Sequence, residues 1–341
     1  MKQPGQNSFF DEESRLTKLT QKKDPLLKLS AMIEWEKFRP VIARAMKKIT
    51  RGTGGRPAYD YIMMFKVLIL QRLYNVSDEQ MEFQINDRLT FMRFLGLSLG
   101  DKVPDQNTIW LFRENLIEKG VIEKLFNKFD SYLQTEGYLL KEGSIIDATI
   151  VEAPRQRNSR QDNEQIKKGE IPEEWKDNAN MLRQKDTDAR WLKKNGERYY
   201  GYKNHVKICR KSKLISKYKV TDASVHDSQA VEDLLDKGDT HHEMYADSAY
   251  SGDQISMLLD KKKIRNRIHE KGYSHTPLTK KQLEKNRNKS KIRARVEHVF
   301  AYMTNSMGGI YLRTIGKKRA SGVIGLMNLT YNISRYLQLV G

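Results

Sequence analysis

The sequence predicts an α/β domain with a mixed sheet, preceded by an all-helical N-terminal domain. Apolar side chains recur at helical spacing through residues 31–140, the period switches to a β-branched apolar run after Gly143, and strand-like and helix-like segments then alternate. A chain of 341 residues has room for about two domains. With 38% apolar and 31% charged side chains, global disorder is excluded.

Residues 1–30 read as a polar arm with no strong period. Helical spacing over 32–49 is broken by Arg51-Gly52-Thr53-Gly54-Gly55-Arg56-Pro57, a basic turn that lacks the Gly-Lys-Ser/Thr ending of a phosphate-binding loop. Residues 59–73 predict a buried helix. Its apolar run, 61–70, is interrupted by Lys66 and is shorter than the roughly 20 residues that span a bilayer, so no membrane partner is expected. Asn75-Val76-Ser77 forms a turn, and Ser77 with Gln80 makes a capping box that opens a helix over 78–85. Another helix starts near Asp105-Gln106-Asn107-Thr108 and carries Trp110, Phe112, Leu116 and Ile117. Helix, turn, helix suits an ordinary bundle and a DNA-reading module equally.

The domain over 141–341 starts with a strand at 144–151, apolar enough to be covered on both faces except at Asp147. Residues 154–198 are a polar insertion with little core of its own, helical around 178–192. Residues 199–209 and 214–221 make a hairpin, followed by a helix at 229–235 and a short strand at 244–246 that ends at Asp247. A helix at 254–259, a last strand at 264–268 and a helix at 292–303 complete the order.

The net charge of +19 is concentrated toward one end: residues 251–341 hold 19 basic and 5 acidic side chains. Within 261–295, 14 basic residues face only Glu270 and Glu284, a density suited to releasing counterions from a polyanion. Double-stranded DNA is the expected partner. The single cysteine, Cys209, excludes a disulfide scaffold and a cysteine zinc site, and no apolar leader is visible at the N-terminus, so a cytoplasmic setting is expected.

Three carboxylates stand out. Asp147 sits in an apolar strand, where ionisation is costly without compensation. Asp247 ends a short strand, the position where α/β sheets bind ligands. Glu297 is the sole acid between Lys285 and the C-terminus and lies among Arg293, Arg295 and His298. Two of them have a plainer role open: Asp147 as a backbone cap, Glu297 as an i, i+4 partner of Arg293. Together, beside a basic face, they offer all-oxygen ligands for two Mg²⁺ or Mn²⁺ ions and in-line phosphoryl displacement on DNA. His241-His242-Glu243 reads as a solvated loop. Trp175, Trp191 and Tyr199-Tyr200 read as local packing centres, and Cys209 as a small buried side chain.

Three blocks, Ile146-Asp147-Ala148-Thr149-Ile150-Val151-Glu152-Ala153-Pro154, Ala246-Asp247-Ser248-Ala249-Tyr250-Ser251-Gly252 and Ile292-Arg293-Ala294-Arg295-Val296-Glu297-His298-Val299-Phe300, closely resemble in order and spacing those of bacterial DDE transposases of the insertion-sequence-five family. The stretch at 55–59 and Pro104-Asp105 with Thr108 resemble that family's N-terminal domain. The resemblance implies a ribonuclease-H-like core with an insertion, and Asp147, Asp247 and Glu297 as ligands of two Mg²⁺ or Mn²⁺ ions. It implies cleavage at terminal inverted repeats and joining of the freed 3′-hydroxyl to target DNA, by at least a dimer acting at the bacterial nucleoid. Arg293, Arg295, Lys291, Lys203 and Arg56 are the expected DNA contacts, with the pair His226-Asp227 also in a region similar to the family. Ser290 and Thr304 stand where related families carry the Tyr and Lys of a Tyr-x2-Arg-x3-Glu-x6-Lys signature, so a base-stacking tyrosine is not implied. Rival readings are a structure-selective nuclease with the same core and a transposase-derived DNA-binding protein without activity.

Overall fold

The computed structural model describes residues 10–46, 58–139, 142–273 and 275–341. The basic turn at 51–57, with Arg56, lies outside the described residues. Packing divides the chain into Met1–Val121 with Val340–Gly341, and Ile122–Leu339.

The first unit is helical throughout: α1 (Asp11–Gln21), α2 (Pro25–Met32), α3 (Arg39–Met46), α4 (Tyr61–Leu73), α5 (Asp78–Asp87), α6 (Leu89–Leu95) and α7 (Gln106–Glu118). The polar arm expected at 1–30 is therefore helical in its described part. Helix α1 buries no residue of its own. It is held through Arg93, whose guanidinium donates to the Leu16 carbonyl and the Thr20 hydroxyl and pairs with Asp24 at the start of α2. That partner is distant in sequence, which is why no local period marks the helix. The helix expected over 32–49 is instead interrupted: α2 ends at Met32, Trp35–Phe38 form a 3₁₀ turn, and α3 begins with Pro40 in its first turn, where a missing N–H costs nothing.

Helix α4 is buried nearly all round, and Lys66 survives in it because its ammonium donates to the Phe94 carbonyl at 3.1 Å and lies 5.4 and 5.1 Å from the Trp35 and Phe94 rings. The Ser77 hydroxyl accepts from the Gln80 N–H to open α5, and Asp105 accepts from Thr108 N–H to open α7. Arg113 on α7 grips Asp78 with both terminal nitrogens, at 2.5 and 2.9 Å.

The second unit starts with α8 (Val121–Thr135), earlier in the chain than the change of period at Gly143. Phe126 on α8 meets the Tyr218 ring edge-on at 4.9 Å, and the Tyr132 and Tyr336 hydroxyls are 2.9 Å apart. The mixed sheet comprises β1 (Ser144–Glu152), β2 (Arg190–Lys194), β3 (Glu197–Cys209), β4 (Ile215–Asp222), β5 (Glu243–Tyr245) and β6 (Arg265–Asn266), ordered β2-β3-β1-β5-β6 with β4 also on β3. Strands β1 to β4 pair antiparallel, while β1, β5 and β6 run parallel.

Gly201 is needed where β3 passes the end of β1. Its φ is +152°, and a Cβ there would lie 2.3 Å from the Val151 carbonyl oxygen and 2.8 Å from the Ala153 nitrogen.

The insertion holds α9 (Arg160–Lys167), α10 (Glu173–Lys176) and α11 (Ala179–Arg183). The helix expected to reach Leu192 stops at Arg183, and Trp191-Leu192 belong to β2, drawn into the sheet by pairing with Tyr199-Tyr200. The insertion also has more core than expected: Trp175 and Ile166 are buried, with the Lys185 ammonium 4.5 Å from the Trp175 ring centre.

After β4 come α12 (Val231–Leu234), α13 (Asp253–Lys261), α14 (Lys280–Ala301) and α15 (Lys317–Val340). Helix α15, unforeseen from the sequence, is buried along most of its length, and its asparagines satisfy sheet groups. Asn328 and Asn204 exchange side-chain hydrogen bonds of 2.8 and 3.1 Å, and Asn332 bonds both the N–H and the carbonyl of Ile215.

Candidate catalytic site

Strands β1 and β5 pair for only two residues, Ser144 with Met244 and Ile145 with Tyr245. Two residues further along each parallel strand come Asp147 and Asp247. The sheet thus places the two aspartates level with each other at the point where β5 turns away. The turn is made by Asp247 itself, whose carboxylate accepts from the Ala249 N–H at 2.8 Å and caps the 3₁₀ turn Ser248–Tyr250.

Asp147 continues β1, with its Cα opposite Val206 of β3. One carboxylate oxygen accepts from the Ala148 N–H at 2.8 Å and the other from the Arg293 guanidinium at 2.9 Å. A second nitrogen of Arg293 donates to Glu297 at 2.6 Å, one helical turn along α14. Arg293 therefore ties the strand carboxylate to the helix carboxylate, while its Nε is buried with no hydrogen bond among the described residues. Burial pushes the Asp147 carboxyl up to about 6. Its Ala148 hydrogen bond and Arg293 oppose the rise, and Asp247 and Asp227 add to it.

The largest cause is burial, so the raised carboxyl reports loss of solvent around Asp147. The donor set is wholly carboxylate oxygen, which suits a hard divalent cation. On that ground Asp147, Asp247 and Glu297 fit such an ion. Among the described residues no three carboxylates are gathered closely enough to hold one together, and Arg293 lies between Asp147 and Glu297, bonded to both.

The expected DNA contacts divide. Lys291 is exposed on α14. Arg295 donates to the Arg210 carbonyl at 2.6 Å. Lys203 is buried, its ammonium held by the Val225 carbonyl at 2.6 Å and paired with Asp227 at 2.8 Å. In the His241-His242-Glu243 segment, Glu243 is taken by Arg210, Arg267 and Tyr245. Ser290 lies 3.3 Å from the His269 ring.

Two residues at the site escaped the sequence reading. Tyr250 is fully buried beside the aspartates, and His269 follows β6, with its N–H on the Ala246 carbonyl. Burial, Arg293 and Lys289 all favour a neutral His269 ring, opposed only by Asp247. Tyr250 belongs to the second motif block, 246–252, but nothing in the local pattern distinguishes it from a packing aromatic.

Residues 14–115 match a family described as Transposase domain (DUF772), and residues 139–333 match the Transposase DDE domain. The second match spans more than half of the chain. The chain belongs to the DDE transposase family. The transposase is thus a DNA-transposing, divalent-metal-dependent enzyme, with a helical N-terminal region and a ribonuclease-H-like sheet unit. It is also similar to a solved structure described as a piggyBac transposase synaptic complex with hairpin DNA, with a TM-score of 0.45 and 11% identity over 93% of this chain and 75% of that one. No helix among the described residues is long and apolar enough to cross a membrane.

Proposed function

We propose that the transposase acts on an element of the insertion-sequence-five type, using Asp147, Asp247 and Glu297 as its metal-holding triad. The observation that carries this is the level placement of the two aspartates beyond the β1/β5 pairing, with Glu297 linked to Asp147 through Arg293. Two Mg²⁺ or Mn²⁺ ions bound there would supply the charge that lowers the barrier to in-line displacement at phosphorus.

The protein's own groups do the rest. Asp147 and Asp247 present oxygens from two adjacent strand ends, a rigid base whose register leaves little room for drift. Glu297 approaches from α14 and is more exposed than Asp147. Arg293 neutralises two of the three carboxylates and brings a guanidinium to where a phosphate would lie. Hydrolysis at the element's end would leave a 3′-hydroxyl, which would then displace a 3′-oxygen of target DNA. Lys291 and the solvent-facing cations of α14 would hold the backbone, and a dimer or larger assembly would bring two ends together.

A strand-transfer assay with labelled, pre-cleaved ends of the element that encodes this chain tests the reading. Joined product is expected from the wild type and is expected to vanish in Asp147→Asn, Asp247→Asn and Glu297→Gln while end binding persists. Joining that survives any one of the three would remove that residue from the triad.

A further inference from the structure

Strand β2 forms an edge of the sheet, and with Glu197–Tyr200 of β3 it makes a two-stranded ribbon that runs past the last pairing of β3 with β1, Gly201 with Glu152. Paired residues of an antiparallel ladder point to the same side, and the side alternates along each strand. One face of the ribbon therefore carries Trp191 with Tyr200 and Lys193 with Arg198. The other carries Leu192 with Tyr199 and Lys194 with Glu197.

The two faces differ in charge. Lys194 has an acid opposite it, whereas Lys193 has Arg198, a like-charged pairing that destabilises a sheet. Both cations are exposed, and neither has a hydrogen bond or ion pair among the described residues. Beside them Trp191 stays 42% exposed although its ring lies 5.1 Å from that of Tyr200. Arg190, by contrast, is spent on the Thr187, Ala189 and Ile166 carbonyls. The root of the ribbon is fixed, because the buried Asp186 carboxylate accepts from the N–H groups of Asp188, Ala189 and Gly316 and from the Tyr202 hydroxyl. A fixed ribbon that sets two unpaired cations side by side next to an exposed indole is relieved by an anion laid over it.

The face points the same way as the candidate catalytic site. Along β3 the alternation puts Arg198, Tyr200, Tyr202, Asn204 and Val206 on one side, and Val206 is opposite Asp147. Arg198 lies eight positions before Val206, about 26 Å along the strand, the length of about eight base pairs of duplex.

We propose that this ribbon face is a second DNA-binding surface, with Lys193 and Arg198 on backbone phosphates of the duplex and Trp191 packed against the backbone beside them. It holds DNA about eight base pairs from the catalytic carboxylates. That distance rests on Asp147 belonging to the catalytic site, as in the proposed function, and the phosphate contacts do not.

The test uses the full chain without metal and two duplexes of equal length, one carrying the element's end and one of unrelated sequence. Affinity is measured across salt concentration for wild type, for Lys193→Gln combined with Arg198→Gln, and for Trp191→Ala. The double variant is expected to lower the slope of log affinity against log salt by about two on both duplexes, so that between about 50 and 200 mM salt the wild type loses about tenfold more affinity than the variant. Trp191→Ala is expected to weaken binding at every salt concentration with the slope unchanged. Melting of the double variant is expected at or above that of the wild type, since a repulsive pair is removed. On the end duplex, ethylation of phosphates about eight base pairs from the cleavage point should weaken binding of the wild type and not of the double variant. An unchanged slope in the double variant would overturn the proposal, and melting several degrees below wild type would assign the two cations to the fold instead. A lowered slope with interference elsewhere on the duplex would keep the surface and overturn its alignment with Asp147. Joining that survives Asp147→Asn in the strand-transfer assay would overturn the origin of that distance and leave the slope result standing.

Discussion

His205 is completely buried on β3, and its protonation state follows from one hydroxyl proton. The Thr221 hydroxyl donates to the Asp222 carbonyl at 3.0 Å, so toward His205 Nε2, 2.8 Å away, it can only accept. The ring therefore carries its proton on Nε2. Nδ1 is left bare, with no partner among the described residues. A second proton would place a buried charge with no acceptor to meet it. Burial, aided by Lys203 and Lys219 and opposed by Asp227, takes the ring down to about 4 from 6.5.

The unfolded chain takes up this proton near pH 6.5 and the folded one only near pH 4, so stability is lost as pH falls through that window. Summed over the window, the loss is on the order of 1 kcal/mol at pH 5.5 and a few kcal/mol at pH 4. His205→Gln keeps a donor near the Nε2 position and removes the titration. Urea denaturation of wild type and variant at pH 7, 5.5 and 4, at fixed ionic strength, should show the variant gaining on the wild type by those amounts. Other groups that titrate in the same range cancel in the difference. Parallel stability curves for the two proteins would refute the assigned tautomer and the cost of the second proton.

Two further outcomes follow from geometry. Gly201→Ala places a methyl group against the Val151 and Ala153 backbones and should cost roughly 3 kcal/mol, read as a lowered denaturation midpoint with an unchanged slope. Lys203→Met should cost about 3–5 kcal/mol by leaving Asp227 without its partner, yet leave the salt dependence of DNA binding alone, whereas Lys291→Gln should lower that slope by about one phosphate contact and spare stability. A salt slope that moved with Lys203 would return it to the DNA interface.

What could be read in advance depended on whether the deciding interaction is local. Asp147 was conspicuous because a carboxylate in a β-branched apolar run violates the strand's own pattern, and the hairpin of β3 and β4 showed in its alternation and turn. The caps at Ser77 and Asp105 act within three residues and were legible for the same reason. Helix α1 was not, since Arg93 holds it from α6. Trp191-Leu192 look helical until Tyr199-Tyr200 claim them as strand partners. Lys203 has the composition of a surface cation, and only the later turn carrying Asp227 shows that it points inward. Helix α15 was obscured because Asn328 and Asn332 interrupt its apolar face, and their partners lie more than a hundred residues away.

The short pairing of β1 with β5 also sets where this chain can change length over evolutionary time. Side chains on a strand alternate between faces, so one residue gained or lost between Ile145 and Asp147 would turn that carboxylate toward the opposite side of the sheet, and one between Tyr245 and Asp247 would shift the turn that Asp247 caps; either change parts the two carboxylates. Those four positions tolerate no insertion or deletion. The stretch from α9 to α11 hangs between β1 and β2 and answers to no such register, so additions there leave the spacing of the aspartates untouched. Homologues should therefore vary freely in the number of residues across the insertion while holding the count from Ile145 to Asp147 and from Tyr245 to Asp247 fixed.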